Sequence, residues 1–278
     1  MDKPVFCCPI CKRPLTDEKT YLRCEKGHSF DKSAQGYVHL LPSSKMKTKL
    51  PGDSREMVVA RRRFLDTEIY APFKEEASRL LLKALIGIDR PVILDAGCGE
   101  GYYTDHIAKS FEKAGREFEL FGIDISKNAV KSAAGRNKNI KLAVASCFDL
   151  PVCDNFADAL VSIFSPIAQA EFKRVVRPGG CLLIAVAGER HLFGLKEVLY
   201  EHPYENEHKK TEYDGFKFVS RTHVRSVAHL TSQQQIADLF TMTPYYWKTP
   251  VDGAKRLSEL DTLDTEIGFD FLLYRREG

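Results

Sequence analysis

The 278-residue chain has a single tryptophan, four methionines and no apolar run of membrane-spanning length. The longest apolar stretch of its central part, Cys181 to Ala187, falls far short of the roughly 20 residues that cross a bilayer. Met1 to Ile10 lack the basic start and long apolar core of a secretory signal, so a cytoplasmic protein with no membrane partner is expected. Net charge is small as well: 41 Lys and Arg against 38 Asp and Glu leave +3. The eight cysteines do not form the pattern of a disulfide framework. Cys98, Cys147, Cys153 and Cys181 lie singly in or near predicted strands and turns, whereas Cys7, Cys8, Cys11 and Cys24 crowd the first 24 residues. In a reducing compartment clustered cysteines point to metal and scattered ones to small buried side chains. With 44% hydrophobic and 28% charged residues, the chain can bury a large core and fold as two domains.

What is present is unevenly placed. Residues 1–63 hold 14 Lys and Arg against 7 Asp and Glu, an excess of +7, while the remainder is −4. A basic excess at one end is the footprint of a polyanion-binding module, although a solvated basic face gives the same count. Within it Cys8-Pro9-Ile10-Cys11 and Cys24-Glu25-Lys26-Gly27-His28 read C-x2-C-x12-C-x3-H. Two thiolates on one tight turn and a Cys/His pair on a second can close a tetrahedron around Zn²⁺. Cys8, Cys11, Cys24 and His28 are therefore the expected ligands of one structural zinc ion. Cys7 is a spare thiol and an alternative ligand, less suitable because pairing it with Cys11 widens the knuckle. Four protein ligands leave no position for a catalytic water. After the short strand-like run Tyr37 to Pro42, Lys45, Lys47 and Lys49 mark a basic linker. A helix capped by Asp53 or Ser54 then carries Arg61, Arg62 and Arg63, which are candidate phosphate contacts.

From Leu80 to about Arg190 short apolar runs alternate with amphipathic segments. Strands are expected at Val92–Ala96, Leu120–Asp124, Lys141–Ala145, Ala157–Ile163 and Cys181–Ala187. Helices are expected at 73–87, 102–114, 127–136 and 167–176. That alternation predicts an α/β fold with a mostly parallel, doubly wound sheet and helices on both faces, its ligand lying beyond the strands' carboxyl ends. The first strand runs into Asp95-Ala96-Gly97-Cys98-Gly99-Glu100-Gly101, where glycines bring bare backbone close to a bound nucleoside. Asp124 ends the second strand, where an acid can accept both ribose hydroxyls. Ser146 follows the third.

The Asp-x-Gly-x-Gly-x-Gly spacing resembles motif I of the class I S-adenosylmethionine-dependent methyltransferases, a Rossmann-like fold. Many members place an Asp near the adenine where this chain has Ser146. With the zinc knuckles and the basic linker, the chain closely resembles the bacterial 23S rRNA guanine-N1 methyltransferases of the RlmA type. The similarity is densest in Cys8-Pro9-x-Cys11, Gly36-Tyr37-Val38, Pro51-Gly52-Asp53-Ser54, Ala60-Arg61-Arg62-x-Phe64-Leu65-Asp66, Asp95 to Thr104, and Gly188-x-Arg190-His191-Leu192. The resemblance implies S-adenosylmethionine and zinc as cofactors, with cofactor contacts from Tyr70, Gly99, Glu100 and His191 beside Asp95, Gly97, Asp124 and Ser146. It further implies a homodimer acting on a hairpin of 23S ribosomal RNA. The expected layout is a zinc-binding RNA-recognition domain at 1–42, a basic linker and helix at 43–72, and a methyltransferase domain at 73–278 whose part beyond 195 shapes substrate choice.

The chemistry is an in-line displacement, so positioning and desolvation dominate. After the fourth strand the chain reads Ile163-Phe164-Ser165-Pro166. It lacks the Asn or Asp followed by two prolines and an aromatic that marks exocyclic-amine methylation, and it has no cysteine there to attack a pyrimidine. Phe164 could stack on a flipped base and Ser165 could bond its edge, or both could simply pack a strand end. No general base stands out. Two rival readings remain: a small-molecule methyltransferase with a structural zinc module, and a zinc RNA-binding protein without catalysis. Farther on, two strands near 216–219 and 223–227, a helix over 232–240 and a closing strand at Phe271–Tyr274 are expected.

Overall fold

The computed structural model describes residues 6–46, 48, 51–207 and 212–278. The first element is a small antiparallel sheet of β1 (Leu15–Asp17), β2 (Tyr21–Cys24) and β3 (Ser29–Asp31). After it come β4 (Val38–His39), α1 (Arg55–Leu65), α2 (Ala71–Ala84) and β5 (Val92–Ala96). The middle of the chain is α3 (Tyr102–Lys113), β6 (Glu119–Asp124), α4 (Lys127–Arg136), β7 (Lys141–Val144), β8 (Ala157–Ile163), α5 (Gln169–Val175) and β9 (Val176–Ala187). The chain ends with α6 (Phe193–Leu199), β10 (Phe216–Leu230), α7 (Gln233–Thr241), α8 (Val251–Ser258) and β11 (Leu263–Arg276).

Eight strands form the main sheet in the order β10-β11-β9-β8-β5-β6-β7-β4. From β9 through β4 neighbouring strands are parallel, while β11 and β10 run antiparallel at one edge. The chain winds outward from β5 through β6 to β7, then crosses back to place β8 on the other side of β5. That reversal opens a crevice at the carboxyl ends of β5 and β8. The apolar runs behind β5, β6 and β8 are long because both faces are covered: Ile93, Leu94, Phe121, Ile123, Leu160 and Val161 are all buried.

Two sequence expectations change. The two strands near 216–219 and 223–227 are one, β10, with an irregularity between Phe218 and Ser220. Its alternating exposed residues disguise one long edge strand. The strand-like run at Tyr37 to Pro42 supplies β4. Val38 and His39 pair parallel with Ala143 and Val144, so β4 extends the main sheet. Cys7 is not a spare thiol: it forms a disulfide with Cys153, their Cα atoms 5.8 Å apart. The cause is local, since Phe6 bridges Val152 antiparallel and the Cys7 amide donates to Pro151 O at 2.8 Å, which sets the two side chains face to face.

Candidate active site and metal centre

The metal centre is built by two turns. Lys12, at φ 59°, and Gly27, at φ 85°, take the left-handed backbone that folds each turn back on itself. The Lys12 amide donates to Cys8 O at 2.8 Å and the Gly27 amide to Cys24 O at 2.9 Å. The donor atoms of Cys8, Cys11, Cys24 and His28 all lie within 4.8 Å of one another. Cys11 Sγ and Cys24 Sγ are 3.7 Å apart, and His28 Nδ1 lies 3.5 Å from Cys8 Sγ and 3.3 Å from Cys24 Sγ. Ligands at about 2.3 Å (sulfur) and about 2.0 Å (nitrogen) from a tetrahedral ion stand roughly 3.5–3.8 Å apart, so the set fits Zn²⁺. Cys8 and Cys24 are buried, and Cys7 points away into its disulfide.

At the crevice the glycines divide the labour. Gly97, at φ 92°, is locked in place: a Cβ there would meet Ser165 Cβ at 2.3 Å. Gly101, at φ 89°, lets α3 pack on α4, where a Cβ would meet Ala133 Cβ at 2.9 Å. Gly99, at φ 56°, faces open space, with only the Arg61 guanidinium at 4.0 Å. Its bare backbone is the part of the turn left free for a ligand.

The acids around the turn are held differently. Asp95 is buried and accepts from Thr104 Oγ1 at 2.6 Å; burial, with Asp124 nearby, pushes its carboxyl up to about 7. Asp124 accepts from the Gly99 amide at 3.0 Å and the Ser126 amide at 2.8 Å, and burial raises it too. Glu100 is buried against Arg136, whose Nε donates to Glu100 Oε2 at 2.5 Å. Among the described residues, Glu100 Oε1 and Tyr103 Oη are buried without a hydrogen-bond partner. Orphaned acceptors and acids around a bare glycine suit a ligand that brings an ammonium and a sulfonium, which is the fit S-adenosylmethionine requires. Ser146 is half-buried, and its Oγ accepts from the Phe148 amide at 3.2 Å to cap a short turn.

A cluster of aromatic rings adjoins the turn through Phe164, the neighbour of Ser165. Tyr70, at the start of α2, is buried edge-on to Phe64, Phe73 and Phe269 at 5.4–5.5 Å between ring centroids. His191 lies 6.5 Å from Tyr70, and its Nδ1 accepts from the Gly268 amide at 3.3 Å. Burial, helped by the charges of Lys196 and Arg225, lowers its pKa to about 3, so the ring is neutral. Phe164 follows β8 at φ 51°, a strained backbone for a large side chain, and remains 48% exposed. Its ring stacks on His191 at 5.5 Å and meets Phe269 edge-on at 4.4 Å. Ser165 is turned inward: its hydroxyl donates to Ala96 O at 2.6 Å and shares a 2.7 Å contact with Ser162 Oγ. That commitment makes Ser165 the clamp of the glycine turn.

The basic residues expected to meet phosphate are largely paired within the chain. Lys45 and Lys12 both reach Asp149 at 2.6 Å. Arg61 pairs with Asp53 and donates to Met242 O at 3.1 Å. Arg62 donates to Ser132 O at 3.0 Å, and Arg63 forks onto Asp238 at 2.6 and 2.9 Å. Lys47 and Lys49 lie outside the described residues. Sequence reasoning missed Phe269, which reads only as one more apolar residue of β11, and Arg61 as the neighbour of Gly99. Neither position carries a signal beyond hydrophobicity or charge.

Comparison with known proteins places these features in a family. A family model described as the RlmA N-terminal zinc ribbon matches residues 6–49, and a methyltransferase-domain model matches residues 93–180. A Streptomyces fradiae protein named 23S rRNA (guanine(748)-N(1))-methyltransferase is 33% identical over 260 residues, 91% of this chain and 90% of that one. YxjB of Bacillus subtilis (strain 168), provisionally named a 23S rRNA (guanine-N(1)-)-methyltransferase, is 30% identical over 280 residues, 98% of each chain. A ubiquinone/menaquinone C-methyltransferase from Syntrophotalea carbinolica is 35% identical over 112 residues, but that covers only 36% of this chain.

Proposed function

The chain belongs to the 23S rRNA (guanine-N1)-methyltransferase family, and on that footing we propose that it transfers a methyl group from S-adenosylmethionine to N1 of a guanine in a 23S rRNA hairpin. The sheet is that of the class I methyltransferases, and the zinc ribbon is joined to it. The observation that carries the reading is the crevice at the carboxyl ends of β5 and β8. There a bare Gly99 and buried acids adjoin an aromatic cluster ending in an exposed, strained Phe164.

When bound, S-adenosylmethionine supplies an electrophilic methyl on a sulfonium. The chain's own contribution is placement. Gly99, Glu100, Asp124 and Ser146 line the cofactor side, and Tyr70 and His191 close the other. His191 stays neutral and puts no second cation beside a sulfonium. Asp95 acts one layer back, holding Thr104 and the turn. Phe164 offers a face on which an extruded guanine stacks, with water excluded by Phe269 behind it. As the methyl passes to N1 the sulfonium becomes the neutral thioether of S-adenosylhomocysteine, and the N1 proton goes to bulk solvent at the exposed side of Phe164; holding the ring on Phe164 favours that in-line approach.

The family resemblance also supports a homodimer working in the cytoplasm, and a solution mass of twice 31.5 kDa is expected. The deciding experiment incubates the protein with labelled S-adenosylmethionine and unmethylated ribosomal RNA, then maps the modified base. Label at guanine N1 is the expected result. Label on a small metabolite with none on RNA overturns the reading.

A further inference from the structure

One surface outside the crevice has the chemistry of a binding site. Arg55, Val58, Val59, Arg62, Arg63 and Asp66 of the α1 side face Asn128, Lys131 and Ser132 of α4 across a groove of about 720 Å³. The spacing explains it: positions 55, 59, 62 and 66 share one helical face, as do 128, 131 and 132. The opposite face of α1 buries Met57, Ala60, Phe64 and Leu65. The lining carries four cations against one anion. Arg62 spans the floor by donating to Ser132 O at 3.0 Å, Asp66 is held by Arg136 at 2.8 Å, and Arg63 keeps 55% of its side chain exposed while bonded to Asp238. Arg55 and Lys131 are exposed and make no ion pair among the described residues. Val59, 44% exposed, leaves an apolar patch between them.

The groove is also well placed. The α1 and α4 helices both begin at the carboxyl edge of the sheet, where Ser126 Oγ donates to Asp53 O at 2.8 Å and Gly52 packs against Ile125 and Ser126. From the other side of α1, Arg61 lies over Gly99. A polyanion in the groove thus rests on the helix that brings Arg61 to Gly99.

We propose that the α1–α4 groove binds the phosphate backbone of the RNA substrate beside its target guanine, with Arg55 and Lys131 as the free phosphate contacts and Arg62 and Arg63 as a pre-set floor. This rests on the reading of the protein as an rRNA methyltransferase and deepens it by assigning the surface. Arg55 and Arg62 stand about 10.5 Å apart along the helix, a span that reaches more than one phosphate of a strand. Arginines already fixed by protein partners lose little freedom when a phosphate arrives.

The test uses the full-length, zinc-loaded protein and a protein-free transcript of the unmethylated 23S hairpin region, with binding measured across a salt series. The double variant Arg55→Gln/Lys131→Gln is expected to bind at least about 10-fold more weakly, with its log–log salt slope reduced by about 1.5–2. Its affinity for S-adenosylhomocysteine and its melting temperature are expected to match the wild type. Lys83→Gln/Lys113→Gln, which removes the same charge at the ends of α2 and α3, should leave the slope unchanged. An unchanged slope in the groove variant, or an equal loss in both doubles, overturns the proposal and points instead to an acidic protein surface as the occupant or to general charge. Failure of the wild type to methylate any RNA would defeat the proposed function, while these binding curves judge the groove separately.

Discussion

At the scale of single residues, burial sets the protonation of the site. His191 has a folded pKa of about 3, far below the ordinary 6.5. Between those values the unfolded chain binds a proton there that the folded chain refuses. Stability therefore rises with pH from about 3 to about 6.5 and is flat above, with a slope from this group of at most about 1.4 kcal/mol per pH unit. His191→Gln, which keeps an acceptor for the Gly268 amide, should flatten that part of the curve in pH-dependent thermal melts. An unaltered slope would mean that His191 titrates freely. Phe164 makes a different prediction. A stacked base is worth roughly 1–3 kcal/mol, so Phe164→Ala should lower RNA turnover about 10-fold or more. Affinity for S-adenosylhomocysteine should fall less than turnover does, because the exposed ring reaches the cofactor side only through its stack on His191. Full turnover in that variant rules out the stacking role. Both residues follow strands that could be read from the chain, yet their partners could not: the rings of Tyr70, Phe164, His191 and Phe269 meet from four separate segments.

At the scale of the element, the turn from β5 to α3 shows that glycines in one motif need not do one job. Gly97→Ala drives a methyl into Ser165 and demands a disfavoured backbone, so it should lower the melting temperature and abolish cofactor binding together. Gly99→Ala meets only the end of a flexible arginine, and the left-handed backbone costs an alanine on the order of 1–2 kcal/mol. Its expected signature is a loss of S-adenosylmethionine affinity larger than its loss of stability. Calorimetry of both variants separates the two roles, and equal effects would show that the glycines share one. The helix α1 carries the same lesson. Its arginine run and a cap at Asp53 or Ser54 were legible in sequence, and the structure selects Ser54. That the arginines pair with Asp53, Ser132 and Asp238 was not: Asp53 stands just ahead of the helix, but Ser132 and Asp238 come from α4 and α7.

At the scale of the molecule, the zinc ribbon is attached by more than a linker. The Cys7–Cys153 disulfide, the β4–β7 pairing and the Lys12–Asp149–Lys45 contacts tie it to the outer half of the sheet. A segment this short has little core of its own, so metal binding contributes much of its folding energy. Chelation under reducing conditions should remove hydrogen-exchange protection from residues 15–31 while β4, held by β7, stays protected. Cofactor affinity should survive and RNA affinity should fall. Protection of β1, β2 and β3 that persists after metal removal would show that the ribbon folds without it.

The sequence by itself determined the local chemistry: four zinc ligands in register, a strand that turns on glycines into a helix, and an α/β alternation that permits one crevice. It could do so because those features depend on residues near one another in the chain, where spacing fixes geometry. Only the tertiary structure decided which groups remain free. It closed Cys7 onto Cys153, turned Ser165 inward, spent Arg61, Arg62 and Arg63 on internal partners, and left Arg55 and Lys131 open across a groove. Availability depends on what distant segments bring to each side chain, and no spacing along the chain records that.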